Sequence, residues 1–149
     1  MEVVVSEERR TWLSLLAKAD GAELARLWAA TGLTPAHQVL RAPEIGAVMA
    51  RGRQGATGAP FNLGEITVTR CSVRLETGEV GHGYVPGRDK QRALTVAVID
   101  AALQTGAAGR IRRDVLEPLM ETAGASRAAQ ARKAGATRVD FFTMVRGED

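Results

Sequence analysis

The side chains able to do chemistry are few in this sequence, and they do not converge. Its two histidines, His37 and His82, lie in short alternating runs, and neither has a carboxylate or second histidine at helical metal-ligand spacing. The one cysteine, Cys71, sits in another alternating run. Alone it can form neither an internal disulfide nor a cysteine metal cluster, and it reads as a small buried hydrophobe. There is no Gly-x-Ser-x-Gly elbow, no His-Glu-x-x-His pair and no Rossmann glycine fingerprint. The glycine-rich stretch from Gly52 to Gly64 lacks the Gly-Lys-Ser/Thr that would close a phosphate loop, so it reads as a connection between strands. Acid pairs such as Glu7-Glu8 and Glu148-Asp149 sit near the chain ends, where a helix cap or a solvated tail accounts for them. No catalytic residue, metal ligand or resident cofactor is therefore assigned.

One corner can hold an anion. Val85-Pro86-Gly87-Arg88-Asp89-Lys90-Gln91 brings backbone N–H groups at a helix start together with Arg88 and Lys90. Asp89 offsets part of that charge, and acids in a first turn commonly serve the helix dipole alone. Arg88, Asp89, Lys90 and Gln91 are thus expected either to contact a partner subunit or to bind an anion.

The elements that present this corner are legible. Ile66 and Val68 alternate, as do Cys71, Val73 and Leu75; Thr77-Gly78 makes the turn, and Val80 to Val85 returns as an antiparallel strand. Apolar parity switches near Thr69-Arg70, which calls for a bulge or for burial on both faces. Pro86-Gly87 ends the strand, and Arg88 to Leu103 reads as a helix that is apolar nearly all round. Such a helix is buried on two sides, with the sheet against one and another subunit as a candidate for the other.

Upstream, Ser6-Glu7-Glu8 caps a helix carrying Trp12 and Leu16, and Asp20 with Glu23 caps a second carrying Leu24, Leu27 and Trp28. Both tryptophans read as core packing. Two short strands, His37 to Arg41 and Ala47 to Arg51, are expected on either side of Ala42-Pro43. Downstream, Pro118 favours an edge strand over Ile111 to Leu119, and Glu121 to Lys133 reads as a helix closed by Gly135.

The last residues, Val139 to Asp149, include Phe141, Phe142, Met144 and Val145, where a free end is normally polar. Burying its large apolar groups would contribute on the order of 10 kcal/mol before ordering entropy. This strand-like tail is expected to dock, with Asp140, Phe141, Phe142, Met144, Val145 and Arg146 as partner-binding residues. The expectation is a single α+β domain over 1–149. It has an N-terminal helical hairpin (6–31), a core (36–134) with an antiparallel sheet of about four or five strands covered by helices, and an interaction tail (138–149).

With 149 residues and 45% hydrophobic content, one ordinary core suffices. No charged-then-apolar leader and no bilayer-length apolar run occur, so a cytoplasmic location is expected and no membrane contact. The formal charge is +3, from dispersed basic residues with few aromatics among them, which argues against nucleic acid.

Two stretches resemble a known family. Val85-Pro86-Gly87-Arg88-Asp89-Lys90-Gln91 ahead of an apolar helix, and Arg138-Val139-Asp140-Phe141-Phe142-Thr143-Met144-Val145-Arg146-Gly147, are similar to the G-subunit family, PhnG, of the bacterial carbon-phosphorus lyase system. The likeness also runs through the Trp12 helix, Arg41 to Glu44, and Thr67 to Leu75; residues 106–137 rest on pattern alone. What the resemblance implies is phosphonate catabolism. In that family the G subunit assembles with subunits H and I and the radical-SAM lyase subunit J. With subunit L, the G, H and I proteins support replacement of adenine on ATP by an alkylphosphonate, giving alpha-D-ribose 1-methylphosphonate 5-triphosphate. The family places nucleosidase capability in subunit I, so the resemblance brings no catalytic residue here, and ATP is a substrate of the assembled transferase complex. The alternative is a stand-alone enzyme acting on a phosphorylated small molecule through Arg88 and Lys90.

Overall fold

Two glycines decide how the chain packs. Gly81 and Gly83 alternate on strand β3 (Val80–Pro86) and face helix α3 (Lys90–Ala102). A Cβ added to Gly81 would lie 1.9 Å from the Ala97 carbonyl oxygen, and one on Gly83 would lie 2.0 Å from that of Ala93. Ala93, Ala97 and Ala101, four residues apart on one face of the helix, are all buried. Small residues on both surfaces thus let the helix backbone rest on the strand. The computed structural model describes residues 6–53 and 60–147, with side chains described for 6–50 and 64–135.

The chain begins with α1 (Glu7–Lys18), capped by Ser6 accepting from Arg9 N–H at 3.1 Å, and α2 (Gly21–Ala30), capped by Asp20 accepting from Glu23 N–H at 3.1 Å. Strands β1 (His37–Arg53), β2 (Pro60–Leu75) and β3 follow, forming among the described residues one antiparallel sheet in the order β1-β2-β3. After α3 come α4 (Ala108–Ile111), a π-helical turn (Arg112–Leu116) and the long α5 (Glu117–Gly147). The α+β class is as expected, with three strands where about four or five were anticipated.

Several local expectations are corrected. The two short strands around Ala42-Pro43 are one continuous β1, which absorbs the interruption with register shifts between Val39 and Arg41 and between Arg41 and Glu44. The parity switch in β2 involves no slip against β3, whose register runs unbroken from Val68↔Pro86 to Arg74↔Val80. Of the two expected alternatives, a bulge or burial on both faces, the second is what occurs, because Val68 and Thr69 are both buried. Ile111 to Leu119 is helical. The π turn ends two residues before Pro118, and its wider spacing helps the helix absorb a residue with no N–H to donate. Helix α5 continues past Gly135 to Gly147, so that glycine caps nothing.

Helix α3 is buried on two sides, but its second cover belongs to this chain. Val96, Ala97, Val98 and Ile99 join one core cluster with Cys71, Val73 and Val85 of the sheet and with Trp12, Leu16, Leu24 and Leu27 of α1 and α2. Ile111, Val115, Leu116 and Leu119 close the same cluster. The order of layers is sheet, α3, then the remaining helices.

Candidate functional site

Beneath the seam where α3 rests on β3, one charged group among the described residues is fully buried. Asp100 sits at 0% exposure on α3, in a run that is otherwise apolar. Arg9 reaches it with Nε to Oδ1 at 3.1 Å and Nη2 to Oδ2 at 2.8 Å; Trp12 Nε1 donates to Oδ1 at 2.8 Å and the His82 backbone N–H to Oδ2 at 2.9 Å. Four donors satisfy the carboxylate, as a buried charge requires. The outer edge of β3 is closed by the same groups, because Arg9 and Gln104 also donate to the Val80 carbonyl oxygen. The arrangement has structural work: it ties α1 to α3 and blocks a sheet edge from pairing. Sequence reasoning missed Arg9 and Asp100. The available signal was an aspartate inside the Val96–Leu103 apolar run.

The corner at the entrance to α3 forms where expected, with the helix starting two residues late, at Lys90. Asp89 is its N-cap, accepting from Arg92 N–H at 3.0 Å, and so it occupies one donor an incoming anion would use. Gly87 adopts φ 89°, the left-handed region that favours glycine. Its N–H donates to the Thr67 carbonyl at 2.8 Å and its carbonyl accepts from Thr69 Oγ1 at 2.7 Å. Arg92, which the sequence reading did not single out, donates to the Ala17 carbonyl oxygen and fastens the corner to α1. Arg88, Asp89, Lys90 and Gln91 are all exposed. The structure therefore gives Asp89 a capping role and leaves two cationic side chains on the surface beside it.

The tail residues Asp140, Phe141, Phe142, Met144, Val145 and Arg146 lie in the last turns of α5, so their backbone is helical where a strand-like segment was expected. Their side chains fall outside the described residues. Upstream, every residue from 125 to 135 is exposed. The first turns of α5 do pack, forming with α1 and α2 a groove of about 570 Å3 lined by Leu15, Ala19, Leu119 and Met120, together with Lys18 and Arg127.

Most of the exposed large hydrophobic side chains among the described residues lie on the ribbon of β1 and β2. No residue from 37 to 50 is buried. Val39, Leu40, Ile45, Met49 and Ile66 stand exposed, Met49 at 50% and Ile66 at 46%. Beyond the end of β3, β1 and β2 pair only with each other, from Ala47↔Thr67 to Arg53↔Pro60. Apolar rows on a strand edge that nothing covers mark a docking surface or an aggregation hazard.

Among the described residues, no group of three or more His, Cys, Asp or Glu is placed to hold a metal ion. Cys71 is buried, burial pushes its thiol up from the ordinary value, and it has no partner cysteine, as a core residue would be. His37 bonds only its neighbourhood, with Nδ1 3.0 Å from the Pro35 carbonyl oxygen. No described helix is long and apolar enough to cross a membrane.

Comparison with known proteins fits this picture. The family model for phosphonate metabolism protein PhnG matches residues 7–147. A relative in Rhizobium meliloti (strain 1021), alpha-D-ribose 1-methylphosphonate 5-triphosphate synthase subunit PhnG, is 49% identical over 146 residues, covering 95% of this chain and 91% of that protein. With both the family match and the relative spanning nearly its whole length, this chain belongs to the PhnG family of phosphonate metabolism proteins.

Proposed function

We propose that this protein is an accessory subunit of an alpha-D-ribose 1-methylphosphonate 5-triphosphate synthase, supporting the transfer of alkylphosphonate to the ribose C1 of ATP with release of adenine. The observation that carries the reading is the β1 strand: 14 consecutive residues without one buried side chain, several of them large and apolar, on a domain whose core is otherwise closed. A domain that exposes such a row and converges no catalytic groups is built to be covered by another protein. The relative named above is itself a synthase subunit. The partners in this reading are subunits H, I and J, with L for the transferase step; ATP binds the assembled complex, and the cell compartment is the cytoplasm. The exposed Arg88, Asp89, Lys90 and Gln91, and the tail from Asp140 to Arg146, serve as further contacts.

Co-expression with subunits H and I, followed by mass measurement by light scattering, tests the proposal. The expected result is co-elution, weakened by truncation after residue 137. A stable monomer that ignores both partners overturns it. The rival reading, a stand-alone enzyme using Arg88 and Lys90, predicts turnover of ATP and methylphosphonate by the isolated chain.

A further inference from the structure

The face of the sheet turned away from α3 carries a different chemistry from the rest of the surface. Residues directly opposite in an antiparallel sheet point to the same side, so the register places nine positions in three rows. Gln38, Arg74 and Val80 form one row, Arg41, Ser72 and His82 the next, and Glu44, Arg70 and Tyr84 the third. Buried Gly81, Gly83 and Val85 alternate with exposed His82 and Tyr84, which fixes this as the outward face.

At the centre, Ser72 Oγ lies 3.0 Å from His82 Nδ1. Arg41 stands opposite Ser72 in the register, Arg70 and Arg74 lie two residues to either side of it on β2, and all three are exposed. None of the three is in an ion pair with any described carboxylate. That includes Glu44, although it stands opposite Arg70 in the register. Arg70 instead extends over β1, its Nη2 3.5 Å from where a Cβ of Gly46 would be. Along β2, Arg70 and Arg74 flank Ser72 at about 7 Å on either side, a spacing that long side chains close easily.

We infer that this sheet face is a binding site for a compact multi-oxygen anion of the phosphate type, either an inorganic oligophosphate or the phosphate chain of a nucleotide. Three guanidinium groups without carboxylate partners present forked donors matched to phosphoryl oxygens. With His82 Nδ1–H donating to it, the Ser72 hydroxyl between them is free to donate to the anion, and the exposed Tyr84 hydroxyl offers another donor at the margin. A carboxylate accepts from the same groups, but its two oxygens and single charge answer one guanidinium at a time, whereas a phosphate chain brings several charged oxygens within the span of three. The site is distinct from the α3 entrance, because Arg88 and Lys90 follow the end of β3 and share no row with it. It also requires no partner subunit, so it stands or falls separately from the assembly proposed above.

Isothermal titration of the full-length chain at low salt, in a phosphate-free buffer, tests it with inorganic tripolyphosphate, ATP and oligoglutamate. Tripolyphosphate is expected to bind, and Arg41→Gln and Arg74→Gln are each expected to weaken it roughly tenfold, the size of one lost charge-assisted contact. Ser72→Ala should weaken it less, and Arg88→Gln with Lys90→Gln should leave it unchanged. Equal binding of ATP and tripolyphosphate assigns the site to the phosphate chain, and stronger ATP binding adds a contact to the nucleoside. Circular dichroism confirms that the exposed-residue variants are folded. The inference is overturned if tripolyphosphate does not bind, if oligoglutamate binds as tightly, or if the Arg88 and Lys90 variants are the ones that abolish binding.

Discussion

Strands β1 and β3 flank the same central strand, and their fates are opposite. On β3 every second residue is buried, two of them are glycines, and a helix backbone rests on the strand. On β1 nothing from 37 to 50 is buried, although Val39, Ile45, Val48 and Met49 make it as apolar as its counterpart. Apolar content therefore did not decide which strand entered the core. Closeness of approach did: a helix settles where side chains are small enough to admit it, and α3 is committed to β3 by Gly81, Gly83 and the alanines opposite them. The second strand is left with hydrophobic groups that the described residues do not cover, and that contrast separates a strand built into the core from one left on the surface.

The contrast can be broken most directly on the β3 side. Gly83→Val would drive a branched side chain into the Ala93 carbonyl, 2.0 Å from the nearest new carbon, and neither backbone can give way cheaply. A loss of at least about 3 kcal/mol, the upper end of overpacking costs, is expected in urea unfolding of whatever soluble protein is recovered. A variant as stable as the parent would show that the helix does not need this strand.

Next in size is Asp100→Ala, which strands the Arg9 guanidinium and the Trp12 indole N–H beneath the seam. Removing one partner of a buried ion pair costs about 3–5 kcal/mol, and thermal or denaturant unfolding reads it. Substituting both residues, Arg9→Met with Asp100→Leu, should recover part of that loss, because no charge is then left alone.

The smallest stability effect belongs to β1 and its neighbour. Met49→Gln with Ile66→Thr should change unfolding free energy by less than about 0.5 kcal/mol, since both side chains are half exposed. The same pair should weaken association with the partner subunits by tenfold or more if the ribbon is the docking surface. A stability loss comparable with that of Asp100→Ala would erase the distinction between the two strands.

Much of this was legible beforehand, for local reasons. The caps at Ser6, Asp20 and Asp89, the hairpin turn at Thr77-Gly78 and the helix after Pro86-Gly87 all depend on residues within a few positions of one another. Ile111 to Leu119 defeats a local reading, because a proline signals a strand edge while a π turn just upstream lets the helix keep it. The α3 corner was found from its own residues; the arginine face was not, because Arg41, Arg70, Arg74 and His82 become neighbours only through strand register.

By itself, the order of residues determined the α+β class, the caps and turns, the apolar character of α3 and the resemblance to a phosphonate-metabolism family, since each is carried by short-range pattern or contiguous motif. Only the tertiary structure decided that α3 is roofed by the chain's own helices, that Asp100 is answered by Arg9 across 91 positions, and that β1 stays bare. Those outcomes depend on which surfaces fit together in space. Steric complementarity between distant segments leaves no periodic trace along a single strand of text.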